Sequence, residues 1–186
     1  MNQTESAATV EATDHVDVDE ILGDVSDAGF AGRRVVPVPV GWGDARKHRQ
    51  LLVADDGREI RVRLARGSHL DEGAVLADDG VAVIVVRRPP EPALVVTFAD
   101  NDGPEGARRM LLLGYLLGNQ HAPLDVTAER VATPLMTGAT TAESTLHDLH
   151  IRGAVTEVPL AAHGWSNTSA DHHHTHDHHH THDHRH

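Results

Sequence analysis

Apolar residues recur along this chain with different periods, and each period predicts a different kind of element. Val18, Ile21, Leu22 and Val25 fall at i, i+3, i+4 and i+7, with Asp17 and Asp19 near the start and Gly29 at the end. That spacing predicts a short helix over 16–29, because residues three and four apart share one helical face. From Ala31 to Val86 the period shortens to two. Val35, Val36, Val38 and Val40 are interrupted by Pro37 and Pro39, which suits an edge strand, where a missing N–H breaks no ladder. Gln50–Val53 is a short strand, and Asp56-Gly57 supplies a tight turn. Glu59–Leu64 then alternates Ile60, Val62 and Leu64 with Arg61 and Arg63. Gly67, Gly73 and Asp79-Gly80 punctuate further short runs that end in Val81–Val86. Strands this short, with turns this frequent, predict a small β-barrel or sandwich. Arg61, Arg63 and Arg66 form either a solvated face or a docking patch.

Pro89-Pro90 marks a boundary, after which the periods alternate. Ala93–Phe98 reads as a strand. Pro104–Gly118 reads as a helix, with proline in the first turn and glycine at the C-terminal end. Leu124–Thr127 and Arg130–Pro134 are strand-like. Thr140–Arg152 is a second helix, with Thr140 and Glu143 in capping-box spacing and Gly153 closing it. Ala154–Leu160 is a last strand. The order β-α-β-β-α-β is the ferredoxin-like arrangement. The expected fold class is therefore α+β: an acidic N-terminal extension (1–30), an all-β N-terminal domain (31–90), a ferredoxin-like metal-binding and dimerisation domain (91–163) and a disordered His-rich tail (164–186).

The first helix of that second domain contains Met110-Leu-Leu-Leu-Gly-Tyr-Leu-Leu-Gly118, with almost no polar face. A helix apolar all round must be covered on every side. A sheet covers one side; the other falls either to the N-terminal domain or to a second copy of the chain, which predicts a homodimer.

The tail changes the chemistry. Residues 172–186 read HHHTHDHHHTHDHRH, a hexapeptide repeated once and trailed by HRH, and they hold ten of the 17 histidines. With no apolar residue the segment cannot offset the entropy of ordering, and His-rich tracts of this kind bind metal. Its periodic Thr and Asp argue against a purification tag. The candidate ligands are His172, His173, His174, His176, His178, His179, His180, His182, His184 and His186, with Asp177 and Asp183 as further oxygen donors. Neutral imidazole suits Ni²⁺, Zn²⁺ and Cu²⁺; raw affinity favours Cu²⁺. Binding should fail at low pH, where the ligands are protonated.

Composition narrows the classes. The absence of cysteine excludes thiolate zinc sites, iron–sulfur clusters and disulfides. A formal net charge of −12 argues against nucleic acid as a partner, since phosphate contacts need a basic surface. No apolar run approaches the ~20 residues of a membrane span, and the acidic start lacks a signal-peptide pattern. A cytoplasmic protein is expected. The strong preference for Arg over Lys and for Asp over Glu suits a high-salt cytoplasm or a GC-rich genome equally.

Seven histidines lie outside the tail. His121 follows the apolar helix in Gly118-Asn119-Gln120-His121 and fits two roles, a helix cap favoured by the dipole or a metal ligand. A twofold axis near that helix would bring two copies of His121 to one ion. Glu143, His147 and His150 form a stripe on the second helix, either its wet side or an auxiliary metal site. His163 stands between the last strand and the tail and is a possible bridge to it. His15, His48 and His69 have no partner pattern and read as surface residues.

Together these features resemble the UreE family, the nickel metallochaperones of urease maturation. The resemblance covers about 31–160 and the tail. It is carried by DARKHRQ (44–50), DDGREIRVRLARGSHLDEGAVLADDG (55–80), Glu91 in RPPEPALVV and, above all, LLGNQHAPLDV (116–126). It implies a homodimer in which His121 binds Ni²⁺ at the interface and the tail holds additional metal. It also implies delivery to apo-urease together with the accessory GTPase UreG. Two departures stand out: Gln120 replaces an arginine common in the family, and 133–145 lacks the closely spaced histidines some relatives carry. The other classes are a metal store without delivery and a metal-dependent hydrolase. The hydrolase would need about three fixed ligands and a base, and no HExxH motif or nucleophile elbow is present. The protein is expected not to be an enzyme.

Overall fold

The computed structural model describes residues 15–166. The N-terminal half forms two sheets. One has the order β1-β5-β4, from β1 (His15–Val18), β5 (Glu59–Arg63) and β4 (Arg49–Val53). The other has the order β2-β6-β7-β3, from β2 (Gly23–Asp24), β6 (Ala74–Asp78), β7 (Ala82–Arg87) and β3 (Arg34–Pro39). Val18, Leu52, Ile60 and Val62 of the first sheet meet Val36, Val38, Leu76 and Ile84 of the second in one buried cluster, as in a sandwich. The alternation read from β5 holds: Ile60 and Val62 point inward and Arg63 is exposed. As its prolines require, β3 lies at a sheet edge beside β7. The free carbonyl of Pro37 accepts the Asp55 N–H at 2.8 Å.

The helix expected over 16–29 does not form. His15–Val18 pairs in parallel with β5, Val16 opposite Ile60 and Val18 opposite Val62. Gly23, at φ 146°, takes a backbone that no helix contains. Val16 and Val18 also alternate, and burying Val18 between the sheets outweighs a helix whose apolar stripe, Val18 to Val25, spans only about two turns. Residues after β2 reach the outer face of the second sheet, where Val25 and Phe30 cover Val75, Val83 and Val85. The stretch read as part of an extension is thus woven into both sheets.

The C-terminal half runs β8 (Glu91–Thr97), α1 (Gly103–Asn119), β9 (Asp125–Val126), β10 (Arg130–Pro134), α2 (Ala139–Asp148) and β11 (Ala154–Val158). Its sheet order is β11-β8-β10-β9, with every neighbouring pair antiparallel. Helix α1 carries Pro104 in its first turn, where its missing N–H costs nothing. Helix α2 starts after Gly138 without a side-chain cap and ends at Asp148, shorter than its periodicity suggested. One face of the sheet holds the helices: Leu94, Val96 and Val131 pack on Leu113, Leu117, Ala142, Leu146 and Ile151. The other face, with Ala93, Ala132 and Leu160, meets Trp42 and Trp165, whose rings stand edge to face at 5.6 Å. None of the helices is long and apolar enough to cross a membrane among the described residues.

Two charged residues tie the halves together. Arg88 is buried; its guanidinium donates to the carbonyls of Val40 (2.9 Å), Ala161 (3.3 Å) and Leu70, and its N–H to Glu72. Burial lowers the guanidinium pKa, opposed by the charges of Asp71, Glu72 and Glu91. Glu91 accepts the Trp42 N–H at 2.8 Å. Gly41 leaves room for that carboxylate, since a Cβ there would stand 3.0 Å from it. The N-terminal half therefore meets the sheet through Trp42 and leaves the outer face of α1 uncovered: Leu111 is 73 % exposed, Leu112 42 % and Tyr115 75 %.

Candidate metal centre

His121 stands immediately beyond α1 in the left-handed region, at φ 54°. The Ala122 N–H returns to the Leu117 carbonyl (3.0 Å), and the His121 N–H to that of Gly118 (3.0 Å). This is a Schellman ending, which satisfies carbonyls the helix would otherwise leave unpaired. Buried Ala122 packs in the same cluster as Leu117, which locks the turn from below. Glycine is the usual residue at the left-handed position of such an ending, because a side chain there costs about 1–2 kcal/mol. A histidine kept in that conformation, with its side chain exposed, invites a functional explanation.

Among the described residues no three His, Asp or Glu side chains gather as a metal cage. Leu111 and Tyr115 share one face of α1, one turn apart, and that exposed stripe runs along the helix toward His121. A cavity of about 50 Å³ lies beside the same helix end, lined by Leu116, Gln120, Ala142 and Thr133 among others. The Thr133 hydroxyl is buried there with no hydrogen-bond partner.

The other histidines scatter. His147 is on the last turn of α2, but His150 is not on the helix; it follows the Leu149 cap at φ 53°. The three-residue stripe with Glu143 is therefore broken at its C-terminal end. The His147 and His150 rings lie 6.4 Å apart. His163 is exposed beyond β11 and near enough to Asp24 to help lower that carboxyl's pKa, although hydrogen bonds from Ser26 do most of it. His69 is more than a surface residue: its ring is mostly covered, and Nδ1 lies 2.7 Å from Asp71 Oδ1. His48 is half-buried, and His15 Nε2 lies 3.7 Å from Asp17. The ten tail histidines, His172 to His186, lie outside the described residues. The buried role of Arg88 had no signal in the sequence beyond its place before Pro89-Pro90.

Comparison with known proteins bears on this geometry. Residues 18–88 match the family described as UreE urease accessory protein, N-terminal domain, and residues 91–186 match its C-terminal domain. The chain belongs to the UreE family. It is 29 % identical over 117 residues to the urease accessory protein UreE of Acetivibrio thermocellus, covering 63 % of this chain and 72 % of that one. It is 32 % identical over 112 residues to a UreE 1 of Pseudomonas syringae pv. syringae, covering 56 % and 73 %. UreE proteins are accessory proteins rather than enzymes. The N-terminal match begins at Val18, the last residue of β1. The C-terminal match takes in both His121 and the His-rich tail.

Proposed function

We propose that this protein is a nickel metallochaperone in urease maturation, which binds Ni²⁺ as cargo and passes it to apo-urease. Membership of the UreE family supports the role in urease maturation. The reading of a shared metal site rests on one observation, a strained and exposed His121 at the end of a helix whose outer apolar stripe is uncovered. Two chains meeting through Leu111, Leu112 and Tyr115 bury that stripe and bring two His121 rings to one ion. We read the C-terminal unit as ferredoxin-like, from its strand order β11-β8-β10-β9 with both helices on one face. The tail histidines capture further ions, Zn²⁺ and Cu²⁺ among them, and the homodimer hands nickel on in the cytoplasm with the accessory GTPase UreG.

Exposed imidazoles suit a carrier. A closed cage would trap the ion, whereas two single-histidine ligands leave positions open for an acceptor's groups. The test is nickel calorimetry at neutral pH on the full chain, on a chain ending at Ala170, and on that shorter chain with His121→Ala. The shorter chain should keep one tight ion per two chains, and His121→Ala should abolish it. A shorter chain that binds no nickel overturns the His121 assignment. Nickel that binds but does not transfer to purified UreG makes the protein a store.

A further inference from the structure

Helix α2 ends as α1 does. The Ile151 N–H returns to the Leu146 carbonyl (2.9 Å) and the His150 N–H to that of His147 (2.9 Å), while Ile151 and Leu146 pack in one cluster. This is a second Schellman ending, and histidine again holds the left-handed position that glycine fills most easily. Nothing in the packing explains the choice. The His150 side chain is exposed; beyond the turn itself, the His150 carbonyl accepts from Arg109 Nη1 at 3.0 Å. The turn leaves the His150 ring 6.4 Å from that of His147, tilted by 54°. Asp148 Oδ1 lies 3.5 Å from His147 Nδ1.

We propose that His147 and His150 form a second, peripheral site for a first-row divalent cation, with the Asp148 carboxylate as its oxygen donor. Metal–nitrogen bonds of about 2.0–2.1 Å place each ring centroid about 3.2 Å from the ion, so two rings on one ion stand roughly 4.5 Å apart at a right angle and roughly 6.5 Å apart when opposed. A tetrahedral ion sets them about 5.2 Å apart, so the rings, at 6.4 Å, do not hold an ion as they stand and must close by about an ångström. The rings are exposed, so the small rotations that aim both at one ion meet no packed neighbour. A neutral imidazole pair with one carboxylate is a borderline donor set, suited to Zn²⁺, Ni²⁺ or Cu²⁺ rather than Mg²⁺ or Ca²⁺. The site is remote from His121. Arg109, which touches the His150 loop, is twelve residues before His121, or roughly 18 Å along the helix axis.

This proposal rests on the cation-carrying function above only for which metal arrives, and the two can fail separately. The experiment is nitrogen-15 NMR of the imidazoles in the full chain, titrated with Zn²⁺ until the tail signals stop moving. The His147 and His150 ring nitrogens should shift together with one midpoint, apart from that of His121. His150→Gly removes one ring while keeping the left-handed turn, and should cut the His147 shift at least fivefold without touching the His121 response. Rings that stay silent at saturating Zn²⁺, or a His147 shift unchanged in His150→Gly, overturn the site. A silent His121 beside responsive His147 and His150 overturns the shared interfacial site instead.

Discussion

Helices α1 and α2 end in the same backbone turn, and each sets a histidine at its left-handed position. Their outward faces differ. α1 presents Leu111, Leu112 and Tyr115 to solvent, whereas α2 presents Glu143, Ser144 and His147. The same local geometry therefore stands beside two surfaces of opposite character. An exposed apolar stripe is costly for a lone chain and calls for a protein partner, while a polar face with carboxylates is at home in water. On the proposed reading, the histidine beside the apolar stripe is shared between chains, and the one beside the polar face acts within its own.

The hardest test of that contrast is to charge the two faces in turn. Leu111→Asp with Tyr115→Asp removes two side chains from each partner of the proposed dimer, at about 2 kcal/mol of burial apiece, or roughly a millionfold in dimer dissociation. The double variant should sediment as a monomer at micromolar concentration and keep its fold, since neither side chain belongs to the core. Ser144→Asp on α2 should leave the sedimentation unchanged. If the α2 change dissociates the protein and the α1 change does not, the comparison is inverted.

The second test sharpens what holds the His150 end. Asn101 ties the start of α1 to the loop after α2, donating to the Thr97 and Arg152 carbonyls and accepting the Arg152 N–H at 2.9 Å. Gly106 lets the chain pass this close, for a Cβ there would stand 1.7 Å from the Asn101 carbonyl oxygen. Gly106→Ala should cost about 2–3 kcal/mol in urea unfolding, at the upper end for an overpacked core. Gly114, with nothing within 4 Å, should behave in the opposite way. In the monomeric double variant, Gly114→Ala should gain about 0.5–1 kcal/mol through helix propensity.

Much of this architecture was legible in the sequence, because most elements obey a single period. β10 occupies Arg130–Pro134 as read, and α1 extends its expected span by one residue at each end. The failures came where two patterns overlapped or where local backbone decided. Val16, Val18, Ile21, Leu22 and Val25 satisfy a helical spacing and, at their start, an alternating one. The choice fell to contacts with β5, more than forty residues away. The spacing puts His150 on one helical face with His147, but a Schellman turn ends the helix without a glycine to announce it. His121 was legible through its neighbours, as part of LLGNQHAPLDV. Its strained conformation was not, because histidine carries no signature of a left-handed position.

That strain gives the smallest and most diagnostic effect. If function keeps histidine at these two turns, each turn is less stable than it need be. His121→Gly and His150→Gly should each raise the metal-free stability by about 0.5–1 kcal/mol, from relief of the left-handed penalty less the flexibility glycine adds to the unfolded chain. Thermal unfolding in a chelator checks this, and repeating it with excess Zn²⁺ separates the two positions. Ligand binding stabilises the folded state by RT ln(1 + [L]/Kd), so each variant should lose the share of zinc stabilisation that its imidazole supplied. For His121→Gly that loss should grow with protein concentration if, as proposed, its ion bridges two chains. For His150→Gly it should not. A concentration dependence at both positions would place both histidines between chains, and at neither would leave α1 with an apolar face that no second copy covers.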